Sequence, residues 1–232
     1  MLEALELLWP TACAGCDTPA EGRLCPACRA TLAPVELGQP IPCVRGGFAT
    51  SHYASPPARV LRRAKYGPDP FLMRLLGGAF AAAIEDAAHQ LGADVIVPAP
   101  SPWLRRIQRG FAPAAVLAEP VSRRTGVPVV HALSLRSGNR QAGLRAAARE
   151  ANARRRVHLA VRAVSGRVLL VDDVVTTGAT AAACATELLG GGAREVWLAA
   201  LAIAGPERTG DDPGQPMGNR DSSEPAPRRT PV

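Results

Sequence analysis

Two adjacent carboxylates, Asp172 and Asp173, end an apolar run, and a cluster of hydroxyls follows: residues 168–180 read VLLVDDVVTTGAT. An apolar strand that ends in acids delivers them to the C-terminal edge of a parallel sheet, where open α/β folds bind ligands. Side chains alternate along a strand, but twist at its end is expected to let both acids reach one crevice. The turn offers Thr176, Thr177 and Thr180 as hydroxyl donors. Its backbone N–H groups are open to close approach at Gly178, and the positive end of the next helix points to the same place. This is the chemistry of a phosphate cradle over Thr176, Thr177, Gly178, Ala179 and Thr180, with carboxylates beside it for hydroxyls or a metal. The competing reading is a buried strand and a capped helix with no ligand. It leaves two acids expensively buried to no purpose.

A second constellation stands near the start. Cys13, Cys16, Cys25 and Cys28 form two C-x-x-C pairs separated by eight residues. Four thiolates close a tetrahedral structural Zn²⁺ site. The short spacer demands a compact knuckle, with turns at Gly15, Pro19, Gly22 and Pro26. A redox pair or two disulfides are the alternatives. In a cytoplasmic chain zinc is the better reading, because nothing else would order residues 11–30. Cys43 reads as a spare thiol and Cys184 as a small core residue.

Charge points to an anionic partner. The chain has 232 residues and a net charge of +7. Its 27 basic residues include a single lysine, Lys65, so much of the arginine reflects codon usage. Position says more: from Ser101 to Arg167 fourteen arginines meet only Glu119 and Glu150, a net of +12 over 67 residues. Such a field favours a phosphorylated small molecule or nucleic acid. Aromatic residues are 4% of the chain, which argues against a surface built on base stacking. No apolar run reaches the roughly 18 residues of a spanning helix, so membrane insertion is not expected. Residues 1–10 lack the basic start and cleavage site of an export signal, and a cytoplasmic location is expected.

The positioning elements follow from patterning. Residues 1–10 suggest a short amphipathic helix, and 11–46 a module without its own core. Helices are expected over 56–66, 71–91, 112–124 and 179–189, and strands over 94–100, 127–133, 157–161, 167–175 and 195–203. Residues 134–156 are polar and arginine-rich, a loop, a helix or both. The alternation from residue 94 to 203 implies an α/β fold, a parallel sheet flanked by helices. Three regions result: an N-terminal helix and zinc knuckle (1–46), an α/β domain (47–205) and a disordered tail (206–232).

Residues 168–180 resemble the phosphoribosyl pyrophosphate (PRPP) signature of the type I phosphoribosyltransferases. Preceded by a double C-x-x-C module, they make the chain resemble the ComF family of competence-associated proteins, as a short, actinobacterial-type member. Tyr53-x-Ser55-Pro56, the stretch from Arg62 to Gly67, Val97-Pro-Ala-Pro-Ser101 with Arg105, Arg106, Arg109, Gly110 and Phe111, and Gln141-Ala-Gly-Leu144-Arg145 with Arg149 and Asn152 add to it. The family usually has Asn or Asp, then Gln or Pro, after the Arg-Gly-aromatic; here Ala112-Pro113 follows, and Ala112 lacks the polar group.

The resemblance implies a type I phosphoribosyltransferase-like sheet, PRPP as ligand, and Mg²⁺ bound with it. Asp172 and Asp173 would be the catalytic acids, holding the ribose hydroxyls directly or through metal-bound water. The 176–180 turn would wrap the 5′-phosphate. Ser101, Arg105 and Arg109, with Arg145 and Arg149 from a mobile lid, would take the pyrophosphate. For any single arginine a solvated basic face is the competing reading. Two roles stay open: phosphoribosyl transfer to an unknown acceptor, or handling of single-stranded DNA with the competence machinery, PRPP serving as ligand or regulator. His131 and His158 read as packed rather than catalytic.

Overall fold

The computed structural model describes residues 12–136 and 157–204. The expected helix over 1–10, the candidate arginines Arg145 and Arg149, the 141–144 motif and the tail over 206–232 lie outside them. The described elements, in chain order, are α1 (Pro26–Ala30), β1 (Val35–Glu36), β2 (Gly46–Ala49), α2 (Pro56–Tyr66), α3 (Pro70–Leu91), β3 (Val95–Pro98), α4 (Trp103–Arg109), α5 (Pro113–Thr125), β4 (Leu133–Leu135), β5 (Val157–Leu159), β6 (Gly166–Val175), α6 (Ala179–Gly190) and β7 (Ala193–Ile203).

Five strands form one sheet in the order β1-β2-β7-β6-β3, parallel except for the β1–β2 edge. Strand alternation separates two cores. Ile96, Leu169, Val171, Ala199 and Leu201 face α2, α3 and α5, whereas Val95, Val97, Val168, Leu170 and Leu198 face α6. Burial on both faces explains why β3, β6 and β7 read as unbroken apolar runs. The cysteine segment belongs to the first core: Cys13, Leu24, Cys25, Cys28 and Leu32 cluster with Leu61 and Leu76. Strand β1, before residue 46, is part of the main sheet.

Two expected strands take other forms. In place of a strand over 127–133, one parallel bridge joins Val129 to Ile96, and the regular strand begins at Leu133. Pro128 has no N–H to extend a ladder. Its carbonyl accepts from Ile96 and nothing more regular follows. The strand at 157 is short and pairs antiparallel with β4 in a separate two-stranded sheet. Four elements lie outside the expected ranges: α1, β1, β2 and α4, which are five, two, four and seven residues long.

Local chemistry sets the helix ends. Asp69 caps α3, accepting from the Leu72 N–H at 2.9 Å, and Pro70 follows at its first turn. Gly92, at φ 58°, closes it in the left-handed conformation. Helix α5 contains Pro120, which cannot donate to the Val116 carbonyl one turn earlier. That carbonyl faces Gly77 of α3, where a Cβ would come within 2.8 Å of it.

The pair Gly77 and Gly78 therefore separates packing from propensity. Gly77→Ala should lose about 1–3 kcal/mol by overpacking. Gly78→Ala, exposed with nothing near its Cβ position, should gain about 0.5–1 kcal/mol from helix propensity. Urea unfolding of both variants checks this; equal effects would contradict the α3–α5 contact.

Candidate functional site

The acid pair stands where β6 outruns its neighbour. Strand β3 pairs with β6 only as far as Pro98 opposite Val171, and the Ala99 N–H to Val171 carbonyl bond, 2.8 Å, is the last link. Strand β6 continues to Val175 against β7 alone. The chain leaving β3 runs outward through α4 and α5 to Val129, while the chain leaving β6 runs through α6 to β7 on the other side. The crevice between the C-terminal ends of β3 and β6 is thus the switch point of the sheet, and Asp172 and Asp173 are the first β6 residues beyond the β3 pairing.

Because they are consecutive in the strand, the two carboxyls leave it on different faces. The Asp172 side has α6 on it, and the Asp172 charge is felt by the buried Cys184 thiol. Asp172 Oδ1 accepts from the Asp173 N–H at 2.8 Å. Asp173 turns toward α2 and forms an ion pair with Lys65, Nζ to Oδ2 2.6 Å. Sequence reasoning passed over Lys65 as a site residue. Its signal was its singularity, one lysine among 26 arginines.

Burial pushes the Asp172 carboxyl up, and the Asp173 charge pushes it further. The Asp173 N–H and the Lys65 charge pull the other way, and the outcome is about 8.

Residues 176–178 bend into α6, with Thr176, Thr177 and Thr180 exposed. Gly178, at φ 74°, is the N-cap residue. Its carbonyl accepts from the Ala182 N–H at 2.8 Å, and Thr177 Oγ1 lies 3.4 Å from the Ala179 N–H it accepts. Ile41 packs on Gly178 so closely that a Cβ there would lie 2.8 Å from its Cγ1. The turn is therefore covered by the segment before β2 on one side, while its threonines face solvent.

The remaining site candidates are brought together only in part. Ser101 is half-buried just past β3, and Arg105 is exposed on α4, which buries none of its residues. Arg109 is tied to the end of α2. Its Nε donates to the Lys65 carbonyl at 3.1 Å, and its guanidinium lies 6.0 Å from the Tyr66 ring centre. Arg109 thus joins the acid pair at one remove, through Lys65. His158 makes a cross-strand hydrogen bond with Ser134, 2.7 Å from Nε2 to Oγ.

The four cysteines of the double C-x-x-C module converge, their Sγ atoms all within 4.8 Å of one another and none in a disulfide. Cys16 and Cys25 are 3.8 Å apart. Zn–S bonds of about 2.3 Å set sulfur–sulfur edges of about 3.8 Å in a tetrahedron, so the donor set fits Zn²⁺. Burial opposes the Cys13 thiolate, but N–H groups of Cys25, Gly15 and Cys16 point at its sulfur and bring it to about 6. Burial pushes Cys28 upward. Cys43 is exposed and Cys184 buried, both outside the cluster.

No family model matches the chain. Competence protein F of Haemophilus influenzae is 33% identical over 137 residues, which are 56% of this chain and 60% of that protein. The chain therefore spans about three fifths of that relative. The motifs had already suggested the same ComF relationship. Among solved structures, adenine phosphoribosyltransferase from Saccharomyces cerevisiae is 17% identical, covering 76% of this chain and 88% of its own, with a TM-score of 0.39. Purine phosphoribosyltransferase from Pyrococcus horikoshii is 19% identical, covering 56% and 73%, with a TM-score of 0.37. At those scores the fold is read from the chain's own topology.

Two measurements test this geometry. A carboxyl whose folded value lies above its unfolded one, about 3.9, binds its proton more tightly in the native state. The contribution of Asp172 is then full at low pH, declines as pH rises toward about 8 and is flat above. The slope is limited to about 1.4 kcal/mol per pH unit. Asp172→Asn should flatten that decline in urea titrations at stepped pH, and an unchanged slope would contradict its environment. Purified protein should carry about one zinc ion per chain, and Cys25→Ser should release it and lower the melting temperature. Metal-free protein with two disulfides would refute the cluster's assignment.

Proposed function

We propose that this relative of competence protein F binds PRPP at the β3–β6 crevice and transfers its phosphoribosyl group to an acceptor. The observation that carries the reading is the placement of Asp172 and Asp173 at the sheet's switch point, directly before an exposed threonine turn that opens α6. A sugar phosphate matches this arrangement. The 5′-phosphate would take the N–H groups and hydroxyls of the 176–180 turn, and the ribose hydroxyls would face the carboxyls.

In the transfer, an acceptor lone pair forms a bond to the anomeric carbon. The bond from that carbon to pyrophosphate breaks, and the electron pair leaves with pyrophosphate. An oxocarbenium-like transition state asks for positioning and charge neutralisation more than for covalent help. Asp172 and Asp173 orient the ribose. Arg109 and Lys65 place positive charge at the same edge, where the leaving group departs. Bound Mg²⁺ would supply charge neutralisation at the pyrophosphate. Asp173 already holds a cation, the Lys65 ammonium, so this acid suits that task.

A second reading is favoured by α4, which exposes Trp103 (65%) beside Arg105 and Arg106. In it the chain binds single-stranded DNA on this surface, and PRPP is a regulator. Here, charge would supply the affinity and one aromatic a stacking platform.

PRPP titration of the zinc-loaded protein with Mg²⁺ decides the first reading. Asp172→Asn/Asp173→Asn should weaken binding at least about tenfold, a loss of about 1.4 kcal/mol, with zinc content and circular dichroism unchanged. Equal PRPP affinity in the double variant would refute it. Pyrophosphate release on addition of nucleobases or amines then identifies the acceptor class.

A further inference from the structure

The ion pair at the acid pair points beyond donor binding. Lys65 is the single lysine in a chain that otherwise uses arginine. Its side chain and that of Asp173 are only 15% and 19% exposed, and they meet at 2.6 Å. Arginine is a broad planar fork, whereas the lysine ammonium is a compact point charge. At one carboxylate, a compact ammonium occupies the place that a small metal cation would take. The base from which it reaches is rigid. Val60, Leu61 and Ala64 of α2 are fully or almost fully buried. Asp17 of the cysteine segment pairs with Arg59 at 3.2 Å and with Arg63 at 2.8 Å. Arg63 also donates to the Ala14 carbonyl at 2.9 Å.

We propose that Lys65 is a built-in counter-cation of Asp173, which keeps free divalent metal off the acid pair and yields its place only when metal arrives with the anionic ligand. Charge accounting supports this. The Asp173 carboxylate is already matched by the Lys65 ammonium at 2.6 Å, so a hydrated Mg²⁺ ion must displace that cation before it can take the oxygen. A metal–polyphosphate complex differs because it brings its own anion. That anion can take the displaced ammonium, and Arg109, bound to the Lys65 carbonyl, stands beside it. Lys65 thereby sets the order of binding, metal with ligand rather than before it.

The inference rests on the acid pair being the donor site, but its test needs no donor. Mn²⁺ alone is titrated into the zinc-loaded full chain at neutral pH, with binding read by electron paramagnetic resonance. Wild type should bind weakly. Lys65→Met should bind at least about tenfold more tightly. Lys65→Gln, which also removes the charge and is an alternative should the Met variant fold poorly, should do the same. Lys65→Arg should gain less. Adding Asp173→Asn to Lys65→Met should abolish the gain, placing it at this carboxylate. Tight Mn²⁺ binding by wild type, no gain in either neutral variant, or a gain that survives Asp173→Asn overturns the proposal. In a parallel arm with PRPP, wild type should acquire Mn²⁺. Failure to bind PRPP at all removes the donor reading, while the metal-alone comparison still decides whether Lys65 guards Asp173.

Discussion

Strand β6 has a neighbour on both sides up to Val171 and on one side after it. From that asymmetry most of the local architecture follows. A strand with two hydrogen-bonded neighbours and helices over both faces tolerates only apolar side chains, and residues 168–171 are apolar. Once β3 has left at Pro98, the backbone of β6 is still held by β7, but one flank is open. Charged groups become affordable there and rigid at the same time. The acids are therefore carried on a strand held between β7 and β3 rather than on a loop, and the turn into α6 is fixed relative to them.

Helix α2 joins this edge to the cysteine cluster. Asp17 and Ala14 of the cysteine segment grip it through Arg59 and Arg63, and its last turn, which holds Arg63, also delivers Lys65 to Asp173. Gly15 packs against Cys28 and against Pro56 at the start of the same helix, too tightly to admit a side chain without a shift. The knuckle is thus structural in a definite sense. It forms part of the wall on which α2 rests, and α2 places the only cation that touches the acid pair among the described residues.

Much of the candidate site was legible in the chain. The C-x-x-C spacing announced four converging thiols, because two tight turns can present two sulfurs each. The run of apolar residues ending in two acids and a threonine-glycine turn announced a strand, an edge and a helix start. Other parts were not legible for physical reasons. Strand β2, GGFA, is too short and too glycine-rich for a periodic signal; it is a strand because β7 supplies its ladder. Helix α4 is seven residues long and buries none of them; its apolar residues Trp103, Leu104 and Ile107 are exposed, and so short a stripe is a weak signal. Pro128 interrupted a segment whose Val-rich composition otherwise favours a strand.

Residue order alone determined which groups are available: paired acids, a hydroxyl-rich turn, four thiols and a basic middle. Those follow from local spacing, and local spacing is what a sequence records. Tertiary structure decided how the groups are used. It sent Asp172 toward α6 and Asp173 toward α2, although they are adjacent, because a strand alternates its faces. It also brought Lys65, more than one hundred residues away in the chain, to within 2.6 Å of one of them. That meeting depends on how α2 packs between the cysteine knuckle and the sheet, a long-range arrangement that no local pattern encodes.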